Sequence, residues 1–391
     1  MSKESAVVLH QGVYKKTVSI NNAVFMITGM TIGAGILGIP YVVAQVGILI
    51  GLAYILVLGI VMLFLNLMIG EIVVRTKESF QLPGLAGKYL GGWAKVLMSV
   101  IIIVSGIGVL LAYLVGEGES LASIFGGTPI WWTVIFWAIG SLLVWRGLQT
   151  VKVIEKVLSI LVISIILGLS FAFLPHIQVI NFNYLNLGNI FLPFGVILFA
   201  LNASPSIVEA HALLPGSQQH FRKALIIGTL IPIFVYIIFA LAVVGVMGKE
   251  TTEIATLGLG NKFGAWVRVL ANIFAVFAMG TGFMGLGISL KQSLIWDWKM
   301  PSFFATFFVI LFPLAFFMMG WRNFVNILGV VGGLFLGIEA ILLFFIYWQA
   351  KKIGDLPADR YNLSRAPFLT SLVLVVFTFI LVTSIIKFIH F

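Results

Sequence analysis

Two stretches of this sequence place helix breakers where an apolar run would otherwise continue. The first is Thr31-Ile32-Gly33-Ala34-Gly35-Ile36-Leu37-Gly38-Ile39-Pro40; the second is Ala200-Leu201-Asn202-Ala203-Ser204-Pro205. Glycine costs a helix interior about 1 kcal/mol and proline about 3. Proline also removes a backbone donor and crowds the preceding turn. A helix broken at such a point gains a new N-terminus with free N–H groups and a new C-terminus with free carbonyls. The half-helix beginning near Gly35 then offers donors and a positive dipole end, which suit an anion. The half-helix ending near Ala200 offers carbonyls, which suit a cation. Gly33 and Gly35 remove side chains that would hinder approach, and Asn202 and Ser204 can satisfy freed backbone groups. A kink that serves only close packing is the alternative reading of either break.

Other residues could move charge. Six glutamates lie in or beside apolar runs: Glu71, Glu117, Glu119, Glu155, Glu209 and Glu339. Intramembrane ionisable groups are costly and tend to be functional. Glu117 and Glu119 are expected at one interface, Glu71 and Glu155 at the other. Glu209 and Glu339 lie deeper and are the candidate proton carriers. Structural pairing is the alternative for both, for Glu209 with His211, Lys291 or a loop base. With no cysteine in the chain, disulfides, thiolate metal sites and cysteine nucleophiles are excluded. His-Glu-x-x-His, Gly-x-Ser-x-Gly and P-loop signatures are absent. Gly33-Ala-Gly-Ile-Leu-Gly38 fits a dinucleotide template, but it follows an apolar span rather than a strand, so that reading fails on context.

The elements that must position these residues are membrane helices. Of 391 residues, 61% are hydrophobic and only 9% charged, against about 25% charge in soluble domains. Runs near the roughly 20 residues needed to cross a bilayer predict eleven spans. They lie near 19–42, 46–74, 93–116, 130–146, 153–174, 189–213, 222–247, 265–293, 301–319, 323–349 and 368–390. The weakly apolar stretch 78–92 is expected as an amphipathic segment at the membrane surface. The net charge of +10 points to no nucleic acid, because in such a chain loop charge sets orientation. With the N-terminus cytoplasmic, eighteen Lys and Arg fall inside, among them Lys3, Lys15, Lys16, Arg75, Lys88, Arg146, Lys351, Lys352, Arg360 and Arg365. Lys249, Lys262, Arg268, Arg322 and Lys387 fall outside, completing the 23 of the chain. This asymmetry predicts a cytoplasmic N-terminus and an external C-terminus.

Breaks in spans one and six lie five spans apart. Paired discontinuous helices at corresponding positions mark the binding site of inverted-repeat transporters. Repeat one is expected over about 19–174 and repeat two over about 189–349, with an extra helix at about 368–390.

Gly33-Ala-Gly-Ile-Leu-Gly-Ile-Pro40-Tyr, followed by Ala44-Gln-Val-Gly47, resembles the first helix of amino acid/auxin permeases, of the amino acid–polyamine–organocation superfamily. The bacterial aromatic amino acid permeases carry a related helix. Phe199-Ala200, His220-Phe221-Arg222-Lys223-Ala224 and Tyr89-Leu-Gly91 are similar to later segments of the amino acid/auxin family. The resemblance covers essentially the whole chain. It implies an all-α five-plus-five inverted-repeat fold in the plasma membrane and cation-driven uptake of an amino acid, with no cofactor beyond the coupling ion. It also implies an α-carboxylate near Thr31, Gly33, Ala34 and Gly35, and an α-ammonium near Ala200, Asn202 and Ser204. A side-chain pocket is expected at Ser105, Phe199 and Phe283. A sodium ion in this fold would sit between helices one and eight, on Gly29, Ile32 and Thr281; a Thr281 hydroxyl bonded to its own helix is the alternative. Gly29 stands where sodium-coupled members often carry Asn, and Asn202 where proton-coupled members often carry Glu. The expectation is a proton symporter for a neutral apolar or aromatic amino acid. The alternatives are a sodium symporter, an exchanger, or a sensor that binds without turnover.

The charge asymmetry is tested with an impermeant amine reagent on intact cells. Lys249 should be labelled and Lys351 spared; equal labelling would overturn the orientation.

Overall fold

The computed structural model describes residues 20–78, 80–146, 151–214, 217–358, 361, 363 and 367–389. Lys3, Lys15, Lys16, Arg360 and Arg365 of the charge count lie outside the described residues, as do the side chains of Lys152, Glu155, Lys156 and Lys387. The described secondary structure is entirely helical. Span one is two helices, α1 (Ile20–Thr31) and α2 (Gly35–Val46), bent by 55° at the glycines. α3 (Ile48–Arg75) is span two, α4 (Leu82–Leu90) is short, and α5 (Gly92–Phe125), α6 (Pro129–Arg146) and α7 (Val151–Phe173) follow. Span six is α8 (Leu192–Ala200) and α9 (Ser204–Leu213). Then come α10 (Gln218–Met247), α11 (Ala255–Phe263), α12 (Ala265–Trp298) and α13 (Ser302–Met318). α14 (Phe324–Val330) and α15 (Leu336–Ile353) are joined by a π turn over Val331–Phe335, and α16 (Pro367–Ile389) ends the described chain. Seven stretches, one of them the α8–α9 pair, are long and apolar enough to cross a bilayer, the bent α1–α2 pair makes an eighth, and α7, α13 and α16 carry shorter apolar stretches. These stretches fall on apolar segments expected from the sequence, and seven of them, or eight with the bent pair, are long enough by themselves to span.

Three features differ from the expectations. Residues 82–90 do form a short helix, but Leu82, Pro83, Leu85, Ala86 and Tyr89 bury one face of it. The helix packs on α5 and α15, and the Tyr89 and Thr76 hydroxyls share a 2.7 Å hydrogen bond. Apolar residues at helical spacing found a protein partner there rather than lipid. Lys88 pairs with Asp355, which also accepts from the Lys77 N–H at 3.0 Å. These bonds hold the exposed Asp355 carboxyl below its usual range.

The second difference is the π turn inside span ten. The third is the burial of Glu117 and Glu71, both expected at an interface and instead fully enclosed.

Glycines set the closest helix approaches. A Cβ on Gly332, in the π turn, would lie 1.8 Å from the Gly195 carbonyl oxygen of α8, and one on Gly195 would lie 2.2 Å from that of Gly329. Backbone has met backbone here, which only small residues permit. Gly332→Ala should therefore lower the melting temperature of the purified protein, by an amount matching the roughly 1–3 kcal/mol typical of overpacking. Gly285→Ala, where a Cβ meets nothing within 4 Å, should not. Equal effects of the two would refute this packing account.

Candidate functional site

The two breaks touch. Ile32–Ala34 separates α1 from α2, and Leu201–Ala203 separates α8 from α9. A Cβ on Gly35 would lie 2.5 Å from Ala200 Cα and 2.6 Å from its Cβ. The space at Gly35, expected to admit a ligand, is occupied by Ala200. This glycine is required so that the first turn of α2 can pack on the last turn of α8. Gly33 opens elsewhere: a Cβ there would lie 3.2 Å from the Tyr113 hydroxyl of α5. Ala34 is buried between them.

Each break leaves carbonyls, and a single hydroxyl serves both sets. Tyr236 of α10, fully buried, has its Oη 2.8 Å from the Thr31 carbonyl and 2.8 Å from the Ala200 carbonyl. One O–H proton is shared between two acceptors that end two half-helices. The Thr31 carbonyl also accepts from Gly33 N–H at 3.0 Å, and the Thr31 hydroxyl donates to Ile27 at 2.7 Å. At the other break, Asn202 Oδ1 accepts from Ser204 N–H at 3.0 Å, at the start of α9 just before Pro205. Neither tyrosine was singled out in the sequence; a lone Tyr in an apolar run looks like packing until the helices are assembled.

The remaining candidates are placed as follows. Ser105, on α5, donates to the Ile102 carbonyl at 3.2 Å. Phe199 is half-buried in the last turn of α8. Phe283 is buried on α12, against Gly140 and edge-on to Phe136 with ring centroids 5.2 Å apart. Thr281 donates to Phe277 at 2.8 Å and to Ala278 at 3.2 Å, both on its own helix. Gly29 is half-buried on α1, and Ile32 is buried within the break.

The acids divide sharply. Glu71, enclosed, is fully engaged. Arg75 donates to its Oε1 at 2.9 and 2.8 Å, Leu363 N–H to its Oε2 at 2.9 Å, and Tyr347 at 3.4 Å. Glu209 is half-buried and has a partner. Glu339, on α15, is 4% exposed and faces Ser204 at the start of α9. Its Oε1 and the Ser204 hydroxyl lack hydrogen-bond partners of ordinary geometry among the described residues. Among the described residues, neither oxygen of Glu117 has a hydrogen-bond partner.

Residues 16–384 match the tryptophan/tyrosine permease family. The chain belongs to that family. Its members are permeases, so the protein is an amino acid permease and not an enzyme. Among curated relatives, Glutamine transporter 2 of Aliivibrio fischeri is 24% identical over 351 residues, covering 84% of this chain and 89% of that protein. Tyrosine-specific transport systems 1 and 2 of Haemophilus influenzae are each 25% identical, covering 84% and 90% of this chain and 87% and 92% of those proteins. The crystal structure of MhsT in complex with L-phenylalanine shares the fold. Its TM-score is 0.70 at 13% identity, and the match covers 94% of this chain and all of that one. The permease thus has the inverted-repeat fold expected from its two breaks.

Tyr236→Phe keeps the ring and removes the shared proton. Losing the donor to a buried carbonyl costs about 1–3 kcal/mol, so the purified variant should melt at a lower temperature. An unchanged melting temperature would show that the two carbonyls do not depend on this hydroxyl.

Proposed function

We propose that this permease is a secondary active transporter that takes up a neutral amino acid with protons by alternating access. The observation that carries this reading is the apposition of the two breaks at Gly35 and Ala200, with their terminal carbonyls on the Tyr236 hydroxyl. A zwitterion needs an anion site and a cation site side by side. The first N–H groups of α2 lack partners within their helix, and with the Tyr113 hydroxyl beside Gly33 they suit the α-carboxylate. The Thr31 and Ala200 carbonyls suit the α-ammonium, which would compete for them with the single Tyr236 proton. Ser105, Phe199 and Phe283 wall the side-chain pocket in this reading. The names of the relatives, glutamine and tyrosine transporters, and the phenylalanine bound to MhsT support a neutral substrate, aromatic or amide.

Protons are favoured over sodium by two side chains. The Thr281 hydroxyl is engaged with its own helix. Glu339 places a buried carboxyl against Ser204 at the break of span six. Of the two expected carriers, Glu339 is the more enclosed, and protonation would give it a donor that Ser204 could accept. The chain lies in this reading as eleven plasma-membrane spans with a cytoplasmic N-terminus. The repeats are 19–174 and 189–349, within the amino acid–polyamine–organocation superfamily.

Proteoliposomes holding the full chain decide the coupling. An imposed inward proton gradient should concentrate labelled L-tyrosine or L-glutamine, and a sodium gradient should not. Glu339→Gln should abolish the pH-driven accumulation, because an amide has the carboxyl's shape but cannot titrate near neutral pH. Accumulation driven by sodium and lost in Thr281→Val would make it a sodium symporter; binding without flux would make it a sensor.

A further inference from the structure

The enclosed acid that the proposed site leaves unused is Glu117. α5 and α12 pack antiparallel with a clear register. Tyr113 lies against Gly282, Glu117 against Gly280 and Ser123 against Asn272. A Cβ on Gly280 would stand 3.3 Å from Glu117 Oε1, so glycine clears room for the carboxyl. Tyr113, Glu117 and Ser120 recur at helical spacing on α5. This line starts at Gly33, in the break of span one, and points to the end of α5 at Phe125.

Along that line the polar atoms lack protein partners. Both Glu117 oxygens, Ser120 Oγ and Asn272 Oδ1 are buried and unsatisfied among the described residues. Asn272 Nδ2 donates to Ser123 Oγ at 3.2 Å and to the Arg268 carbonyl at 2.8 Å. Buried polar atoms left unsatisfied by protein are those that water serves. By contrast, the surroundings of Glu117 itself are apolar. Met279 and Gly280 of α12, Phe136 of α6 and Phe324 of α14 pack around this part of α5. Thr133 of α6 spends its hydroxyl on the Leu114 carbonyl at 3.2 Å. The titratable group closest along the line is Tyr113, one turn away; Arg268 lies three turns further along α12, and Glu119, on α5, is only half-buried. Among the described residues, no charged side chain from α6, α12 or α14 offsets Glu117.

An ionised carboxylate enclosed without a partner is strongly disfavoured. A hard cation needs several oxygen ligands, which the facing glycine, methionine and phenylalanines do not supply. A proton needs only the carboxylate. We propose that Glu117 is a protonation site of the transport cycle, loaded from the outer side along Ser120, Ser123 and Asn272. Loading forms one O–H bond on a carboxylate oxygen and leaves a neutral acid; release restores the carboxylate. The neutral acid lets α5 and α12 close on each other, whereas the carboxylate requires water between them. The proton thereby biases the wall that carries Tyr113 to the break. This rests on the proton-symport reading and on an external end for α5.

The test uses the full-length protein in proteoliposomes, with labelled L-tyrosine, L-tryptophan and L-glutamine as probes. Wild-type counterflow comes first: its absence for all three would sink the transport reading, whatever Glu117 does. In Glu117→Gln, the ratio of pH-driven accumulation to counterflow should fall at least about tenfold, the scale of losing a coupling of about 1.4 kcal/mol. A wild-type ratio would overturn the proposal. The wild-type protein gives an independent measurement should the variant not insert. A hydrophobic carbodiimide, which reacts with protonated carboxyls in apolar surroundings, should modify Glu117 at acidic and not at alkaline pH, read by peptide mass spectrometry. No modification of Glu117, or equal modification at both pH values, would also overturn it.

Discussion

Every backbone N–H and carbonyl at membrane depth must find a partner within the protein, because lipid supplies none. The structure is organised around the two places where the chain breaks this rule. Opening α1 from α2 and α8 from α9 leaves helix ends that water would serve in a soluble protein. Here Tyr236 serves the Thr31 and Ala200 carbonyls together, and Asn202 serves the start of α9. What is left over, the first N–H groups of α2 and the second lone pairs of those carbonyls, is what the proposed function assigns to a zwitterion. Binding capacity and structural cost have the same origin.

Holding such ends together requires close approach. Gly35 against Ala200, and Gly195 against Gly329 and Gly332, bring α2, α8 and the π turn of span ten to backbone contact. A π turn inserts a residue into the helical ladder and is common at functional sites. Here it brings Gly332 to the Gly195 carbonyl of α8, and the helix that follows carries Glu339 toward Ser204. The third irregular helix thus delivers a carboxyl to a break made by another.

The buried acids follow one contrast. Glu71 is as enclosed as Glu117, yet Arg75, Leu363 and Tyr347 satisfy it. It behaves as a structural tie between α3 and the segment following α15. Glu117 and Glu339 have unsatisfied oxygens among the described residues. Enclosure alone does not distinguish these acids; the presence of partners does.

The sequence by itself determined the membrane class, the segment positions and the location of both breaks. These depend on run length and on glycine and proline, whose effects are local. The Gly33–Pro40 motif was enough to indicate a permease of amino acids. That Asn202 could serve a backbone group freed at the break was also legible, because such a side chain acts two residues away. What lies between helices was not legible. Gly35 read as clearance for a ligand, and it is clearance for Ala200. Glu117 read as interfacial from its place near the end of a span, and it is enclosed because α12 offers Gly280 at its height. Tyr113 and Tyr236 carried no signal, since a hydroxyl in an apolar run gains a role only when carbonyls or glycines from distant helices arrive beside it. Spacing along one helix decides which residues share a face. Only the packing of helices far apart in sequence decides what that face meets.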